Sequence, residues 1–293
     1  MAAVKKVFLI AGASSKNGTS VAKLLLAEAG NKYIVRVGAR DPTKLSALVA
    51  LGAEAVVLDT SLESAFAAFN GVDGVFIVLP FFAGGVEDIL IENYLKAAKE
   101  TGTKHIVYLS AIDADVKSSH NHKKYEQLVS ESGIPFTILR SAWFHENVVS
   151  YYAQTIKSEG VFWSSAGDGV FTSVAIADIS AAAVAALTEP EKHVGQTYTL
   201  TGESLTDKQV AETISKIIGK PVTHVNLSPE EYEALITQFT GSKEYAAALV
   251  LLDTNRREGH FAKVDPALEQ IIGRKPISLH EVLTNNASAF KEA

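Results

Sequence analysis

The chain has 293 residues, 47% apolar and 20% charged, with a formal net charge of −6 and no cysteine. That length suits one large globular domain, or a large one with a smaller companion. The acidic balance argues against a partner gripped through nucleic-acid phosphates, and the missing thiols exclude disulfides, thiolate catalysis, iron–sulfur ligation and zinc–thiolate sites. In chain order, Val7–Ala11 is a short apolar run without period, as expected of a buried parallel strand. Asn17–Ala29 carries a helical apolar pattern closed by Gly30. Tyr33–Val37 reads as a second strand, and Pro42–Leu51 as a helix with Asp41 at the cap and Pro42 at the first helical position. Strand Ala55–Leu58, helix Leu62–Phe69, strand Gly74–Leu79, helix Glu87–Lys99, strand His105–Leu109, helix Lys123–Ser130 and strand Phe136–Leu139 continue the alternation. Strand–helix repetition with short connections predicts an α/β protein with a Rossmann doubly wound parallel sheet.

The rhythm then changes. Glu146–Lys157 reads as one long helix, and Val161–Ser164, Ser173–Ala175 and Tyr198–Thr201 as short strands. Ile179–Leu187 is an alanine-rich helix, and Asp207–Ile218, Pro229–Phe239, Lys243–Leu252 and Ser278–Lys291 are further helices. The expected organisation is a nucleotide-binding domain over 1–150, with 172–190 packing back on it. Residues 151–293 are then a smaller, mostly helical lobe for substrate or partner, walling a cleft at the carboxyl ends of the strands. Met1-Ala2-Ala3-Val4-Lys5-Lys6 is too short for a signal peptide, and no apolar run reaches the length of a bilayer span, so a cytoplasmic protein without membrane contact is expected. Nothing in the sequence speaks to oligomeric state.

The segment that carries most chemistry is Gly12-Ala13-Ser14-Ser15-Lys16-Asn17-Gly18, between the first strand and the first helix. Gly12 allows a tight exit from the strand, and Gly18 allows close packing of the helix. The amides between them and the helix dipole suit a pyrophosphate. The two glycines match the outer pair of a GxxGxxG fingerprint, with Ser15 at the middle position. A ligand-free strand–helix turn is the alternative, and a Walker A loop is excluded because Thr19 follows Gly18.

The end of the second strand bears on cofactor choice. A carboxylate there would hold a ribose 2′-hydroxyl, but this chain has Arg40, with Lys44 one turn on. A guanidinium suits a 2′-phosphate, so NADP(H) is the expected cofactor, against the alternative of a solvated surface arginine. Asp59, ending the third strand beside Thr60, either faces the adenine amino group or caps a helix.

Several segments together resemble the NmrA-like family of atypical short-chain dehydrogenases. They are Gly12–Gly18, Arg40-Asp41-Pro42-Thr43-Lys44, Gly71–Val78 and Lys104–Ala111. The most specific is Gly133-Ile134-Pro135-Phe136-Thr137-Ile138-Leu139-Arg140-Ser141-Ala142-Trp143-Phe144-His145-Glu146-Asn147. It is similar to the block shared by the type 2 quinone oxidoreductases and triphenylmethane reductases of that family. Val194-Gly195-Gln196 and Ser228–Tyr232 resemble its NADPH-sensing regulators. The resemblance covers nearly the whole chain and implies an NADP(H)-binding Rossmann protein, with Leu79, Pro80 and Phe81 on the nicotinamide side of the cofactor.

No tyrosine has lysine four residues on, so the usual acid–base pair of short-chain dehydrogenases is absent. At the position where isoflavone-reductase-like relatives carry lysine, this chain has His122, as the quinone-reducing branch tends to. His122 is a candidate cofactor-side or proton-donating group, with a surface histidine at a helix start as the alternative. The pair His120 and His122 lacks a third ligand, and no metal is expected. Phe81 and Phe82 either stack on a flat substrate or plug a lobe interface, and Trp143 and Phe144 carry the same choice; Ala142, Trp143 and Phe144 are expected on the cofactor side, and Phe82, Trp143 and Asn147 on the substrate side. Ser110 either bonds a ligand or closes a turn.

Three functions fit: an NADPH-dependent reductase of quinones or similar flat acceptors, a non-enzymatic NADP(H) redox sensor acting through a protein partner, and a biosynthetic imine or alkene reductase. In the first, the acceptor is expected between the Leu79–Phe82 turn and the Trp143–Asn147 segment.

Overall fold

The computed structural model describes residues 5–30, 32–80, 85–116 and 121–291. Elements follow in chain order. The first half runs β1 (Lys6–Ala11), α1 (Lys16–Ala29), β2 (Tyr33–Ala39), α2 (Ser46–Ala50), β3 (Glu54–Val57), α3 (Leu62–Phe69), β4 (Gly74–Ile77), α4 (Val86–Thr101), β5 (His105–Ala111), α5 (His122–Glu131) and β6 (Phe136–Ser141). Then come β7 (Trp143–Phe144), α6 (Ala153–Glu159), β8 (Val161–Ser164), β9 (Phe171–Val174), α7 (Ile176–Thr188), α8 (Pro190–His193), β10 (Gln196–Leu200) and β11 (Glu203–Leu205). The chain closes with α9 (Asp207–Ile218), β12 (Thr223–Asn226), α10 (Pro229–Thr240), α11 (Lys243–Arg257), α12 (Ala267–Ile272) and α13 (Leu279–Asn285).

The residues group into two compact units: 1–111, 122–140 and 176–198 form the first, and 112–121, 141–175 and 199–293 the second. The first holds a seven-stranded parallel sheet of order β10-β6-β5-β4-β1-β2-β3. Strand order reverses between β1, followed in sequence by β2, and β4, which lies on its other side, the switch point at which open α/β sheets bind ligands. Leu9, Val75, Ile77 and Ile106 are fully or almost fully buried, because helices cover both faces. Helix α7 is buried on nearly all sides and packs on α1; its Leu187 meets β4 at Gly74, where a β-carbon would stand 3.3 Å from it and 3.1 Å from Phe8, a tight fit.

The second unit is helical with two small sheets, β11-β9-β7 and β12-β8, around a core that includes Val148, Phe162, Phe171, Ile214 and Leu283. Three expectations change here. The helix expected over Glu146–Lys157 runs from Glu146 to Glu159, but it widens to a π-helical turn at Val148–Tyr152 before α6. The wide turn sets Tyr152 between two rings, stacked on Phe162 at 4.6 Å and against Trp143 at 6.3 Å. The helix expected over Ser278–Lys291 ends at Asn285; the Asn286 side chain caps it by donating to the Val282 carbonyl, and a 3-10 turn follows. In the first unit, Pro42–Leu51 divides into a 3-10 turn, Pro42–Leu45, and the short α2.

Candidate functional site

The turn after β1 is tightly bonded to itself. Gly12 has φ +90°, a left-handed conformation, and a β-carbon there would lie 2.5 Å from the Val78 carbonyl oxygen. At Gly18 a β-carbon would lie 2.2 Å from the Gly12 oxygen and 2.9 Å from the Ala13 α-carbon. Both glycines are therefore required by close backbone approach, and Gly18 packs on the turn itself. Ser15 is the N-cap of α1: its hydroxyl accepts the Gly18 N–H at 3.0 Å and donates to the Gly12 oxygen at 2.8 Å. Serine replaces the middle glycine of the fingerprint because it builds the turn. Thr19 adds a bond from its hydroxyl to the Ala13 oxygen at 2.8 Å. Asn17 is 6% exposed, and its Oδ1 has no hydrogen-bond partner among the described residues. Ser14 and Lys16 face solvent beside it.

The neighbouring strand end is shaped to match. Arg40 directly follows β2, is exposed and has no salt bridge within the described residues; Lys44 is exposed in the following turn. Asp41, which follows Arg40, is exposed, and its Oδ1 accepts the Thr43 N–H and hydroxyl at 3.0 and 2.6 Å, the expected capping role. Asp59 likewise acts as a cap. Its Oδ1 accepts the Ser61 N–H and the Ser64 hydroxyl, both at 2.7 Å, and these bonds hold its carboxyl down at about 2. Thr60 is exposed, and its carbonyl accepts from Asn93 at 2.9 Å. Leu79 turns its side chain into the sheet core and Pro80 is exposed, so Leu79 can meet a ligand only through its backbone. Phe81, Phe82 and His120 lie outside the described residues.

At the end of β5, Ser110 is 2% exposed and donates to Glu126 Oε1 at 2.6 Å. His122 opens α5 and is 7% exposed, so it is not a surface histidine. Glu126 escapes sequence reading because its partners are 16 and 14 residues away. Among the described residues no group of three or more His, Cys, Asp or Glu is placed to hold a metal.

In the second unit, Ala142 is buried and Trp143 and Phe144 form β7, which runs parallel to β9. The Trp143 ring meets Phe171 edge-on at 5.6 Å and, partly buried, packs against the core. Phe144 and Asn147 are half-buried. His145, not singled out from sequence, is fully buried; its Nε2 lies 3.1 Å from the Ile277 oxygen, and burial pulls its pKa down to about 4.

A match to the NmrA-like family extends over residues 4–290. The chain belongs to the NmrA-like family. Among curated members it is 31% identical to quinone oxidoreductase 2 of Escherichia coli K12, over 94% of this chain and 97% of that one. It is 30% identical to an NAD(P)H azoreductase of Xenophilus azovorans, over 98% of this chain and all of that one. An Escherichia coli NADPH-dependent quinone oxidoreductase, solved in complex with NADPH, superposes with a TM-score of 0.87 at 28% identity, over 95% of this chain and 99% of that one.

Proposed function

We propose that this NmrA-like protein is an NADPH-dependent reductase of quinones and similar flat, electron-poor acceptors. The observation that carries the reading is the turn from Gly12 to Gly18, where the backbone approaches too closely for a β-carbon at either glycine, beside an exposed Arg40 at the end of β2 that has no salt bridge within the described residues. A dinucleotide fits these residues: the turn and the first amides of α1 receive the pyrophosphate, and Asn17 Oδ1 offers an acceptor with no partner among the described residues. Arg40 and Lys44 hold the 2′-phosphate, and the position directly after β2 carries a guanidinium in place of the carboxylate that would favour a free 2′-hydroxyl. The named activities of the two 30–31% identical relatives support the acceptor class.

When bound, NADPH supplies a hydride. The chain orients it, keeps water from it and provides for one proton, since a quinone that gains a hydride needs one proton to become the hydroquinone. No tyrosine–lysine pair is required, because a quinone oxygen can take that proton from water or from His122, which starts α5 after the end of β5.

The test is NADPH oxidation by purified protein with several small quinones, alongside calorimetric titration of NADPH and NADH. Turnover with tighter NADPH binding is the expected result. Tight NADPH binding with no oxidation above background would sink the reductase reading and favour a cofactor-sensing role, which the missing tyrosine–lysine pair also fits. Turnover of an imine or alkene alone would point to a biosynthetic reductase.

A further inference from the structure

Glu126 is 5% exposed. A carboxylate is buried at a cost unless its oxygens are paired, and here both are. Oε1 accepts the Ser110 hydroxyl at 2.6 Å and the Arg140 Nε–H at 2.8 Å, and Oε2 accepts the Arg140 Nη2–H at 2.6 Å. The Arg140 side chain is itself only 17% exposed. Ser110 lies next to the last residue of β5 and Arg140 next to the last of β6, and α5 crosses between these neighbouring strands. One carboxylate thus ties together three elements at the carboxyl end of the sheet, where open α/β folds bind their ligands. Since an ionised carboxylate only accepts, the Ser110 hydroxyl is turned towards Oε1. His122 sits one turn earlier on the same buried face of α5.

We infer that Glu126 is a positioning residue for the nicotinamide end of the cofactor, acting through Ser110 while Arg140 holds its carboxylate. This rests on the NADPH-dependent reading above. The glycine cradle lies after β1 and the adenosine side over β2 and β3, so the ends of β4 and β5 are left for the nicotinamide half. An ion pair serving stability alone would not need to reach the strand-end hydroxyl, and a well-packed apolar pair would serve as well.

The test uses the full chain with NADPH and three variants: Glu126→Gln, Ser110→Ala and the two combined. Folding is checked by circular dichroism. If Glu126→Gln leaves Arg140 uncompensated and fails to fold, the pair Glu126→Gln with Arg140→Gln replaces it, since it leaves no lone charge. NADPH affinity should stay within about threefold of the parent, because the pyrophosphate and 2′-phosphate contacts are untouched. The fluorescence of bound NADPH should fall by about half or more, and kcat with a small quinone by about tenfold, as the reduced ring loses its fixed setting. In the Ser110→Ala background the same substitution should change both readouts by less than about twofold, because residues acting through one another are not additive. Unchanged fluorescence and kcat in a folded Glu126→Gln protein would overturn the inference, as would equal losses in both backgrounds. A parent that binds NADPH but turns over no quinone defeats the reductase reading alone, since the fluorescence comparison still decides the role of Glu126. A parent that does not bind NADPH defeats both.

Discussion

Gly18→Ala adds one methyl group where the turn and helix α1 meet. The new β-carbon would stand 2.2 Å from the Gly12 oxygen, 2.8 Å from the Gly12 carbonyl carbon and 2.9 Å from the Ala13 α-carbon. Carbon–oxygen contacts settle at about 3.3–3.6 Å, so helix and turn must part by about 1 Å. All three neighbours are backbone atoms, and no side chain can rotate aside to absorb the shift. Overpacking of this kind costs about 1–3 kcal/mol, offset by about 0.5–1 kcal/mol because alanine favours the helix over glycine. A net loss of about 1–2 kcal/mol is therefore expected in urea unfolding, with NADPH affinity down at least about tenfold. Two other glycines separate the causes. Gly12 has φ +90° and a β-carbon contact of 2.5 Å, so Gly12→Ala should add backbone strain to the overpacking and cost about 2–6 kcal/mol in all. Gly52 has φ +103° with open space around it, so Gly52→Ala should cost about 1–3 kcal/mol and leave NADPH binding intact. Calorimetric titration and urea curves on the three variants provide the measurement. A Gly18→Ala protein that binds NADPH as tightly as the parent would refute the claim that the closeness of turn and helix builds the cofactor site.

Other outcomes follow from the same geometry. Arg40→Ala should weaken NADPH by about 1.5–3 kcal/mol, roughly ten- to hundredfold, while NADH affinity stays constant; equal effects on both would remove the 2′-phosphate role. Trp143→Ala should cost stability, about 3 kcal/mol, because its ring packs on Tyr152 and Phe171; thermal unfolding measures this, and an unchanged midpoint would return the ring to a ligand role. His122→Ala should slow quinone reduction by less than about tenfold, since water can supply the proton; complete loss of turnover would make His122 the obligatory donor.

The parallel sheet was legible because its strands are covered on both faces and so read as unbroken apolar runs such as Val7–Ala11. A helix start was legible where the cap is local, with Asp41 before Pro42. The glycine turn was legible as two small residues at a fixed spacing, yet the use of Ser15 within it was not. A hydroxyl in that loop suits a phosphate or a cap equally, and only the 3.0 Å bond from Gly18 decides. Glu126 was invisible because a lone Glu on a helix reads as a solvated face, and its burial depends on Ser110 and Arg140 folding over it. The wide turn at Val148–Tyr152 was hidden for a related reason. Local spacing suits a continuous helix, but Trp143 and Phe162, on either side in sequence, fix where the Tyr152 ring lies.

Buried histidines give the protein an acid sensitivity whose window can be worked out. His105 is 3% exposed with Nε2 3.0 Å from the Thr137 hydroxyl, which itself donates to the His193 oxygen at 2.8 Å. Thr137 can then only accept from His105, which places a proton on Nε2 and makes the neutral ring the Nε2–H tautomer. Burial, helped by nearby His193, pulls its pKa down to about 4, and burial does the same to His145 in the second unit. His193 and His224 move in the same direction. An unfolded histidine takes its proton near pH 6.5, so between pH 6.5 and 4 the unfolded chain binds more protons than the folded one. Stability is full above that window and falls as pH drops through it. At pH 5 the loss is about 2 kcal/mol for each of His105 and His145 relative to pH 8. Asp59 titrates elsewhere: its carboxyl lies at about 2, so its contribution is lost only as pH falls below about 4. Urea unfolding at pH 8 and pH 5 therefore reads the histidines without the carboxylate. His105→Gln should remove about 2 kcal/mol of the difference between the two pH values, because glutamine can still donate to Thr137 but takes up no proton. An unaltered difference in that variant would mean that His105 is not what makes the fold sensitive to acid.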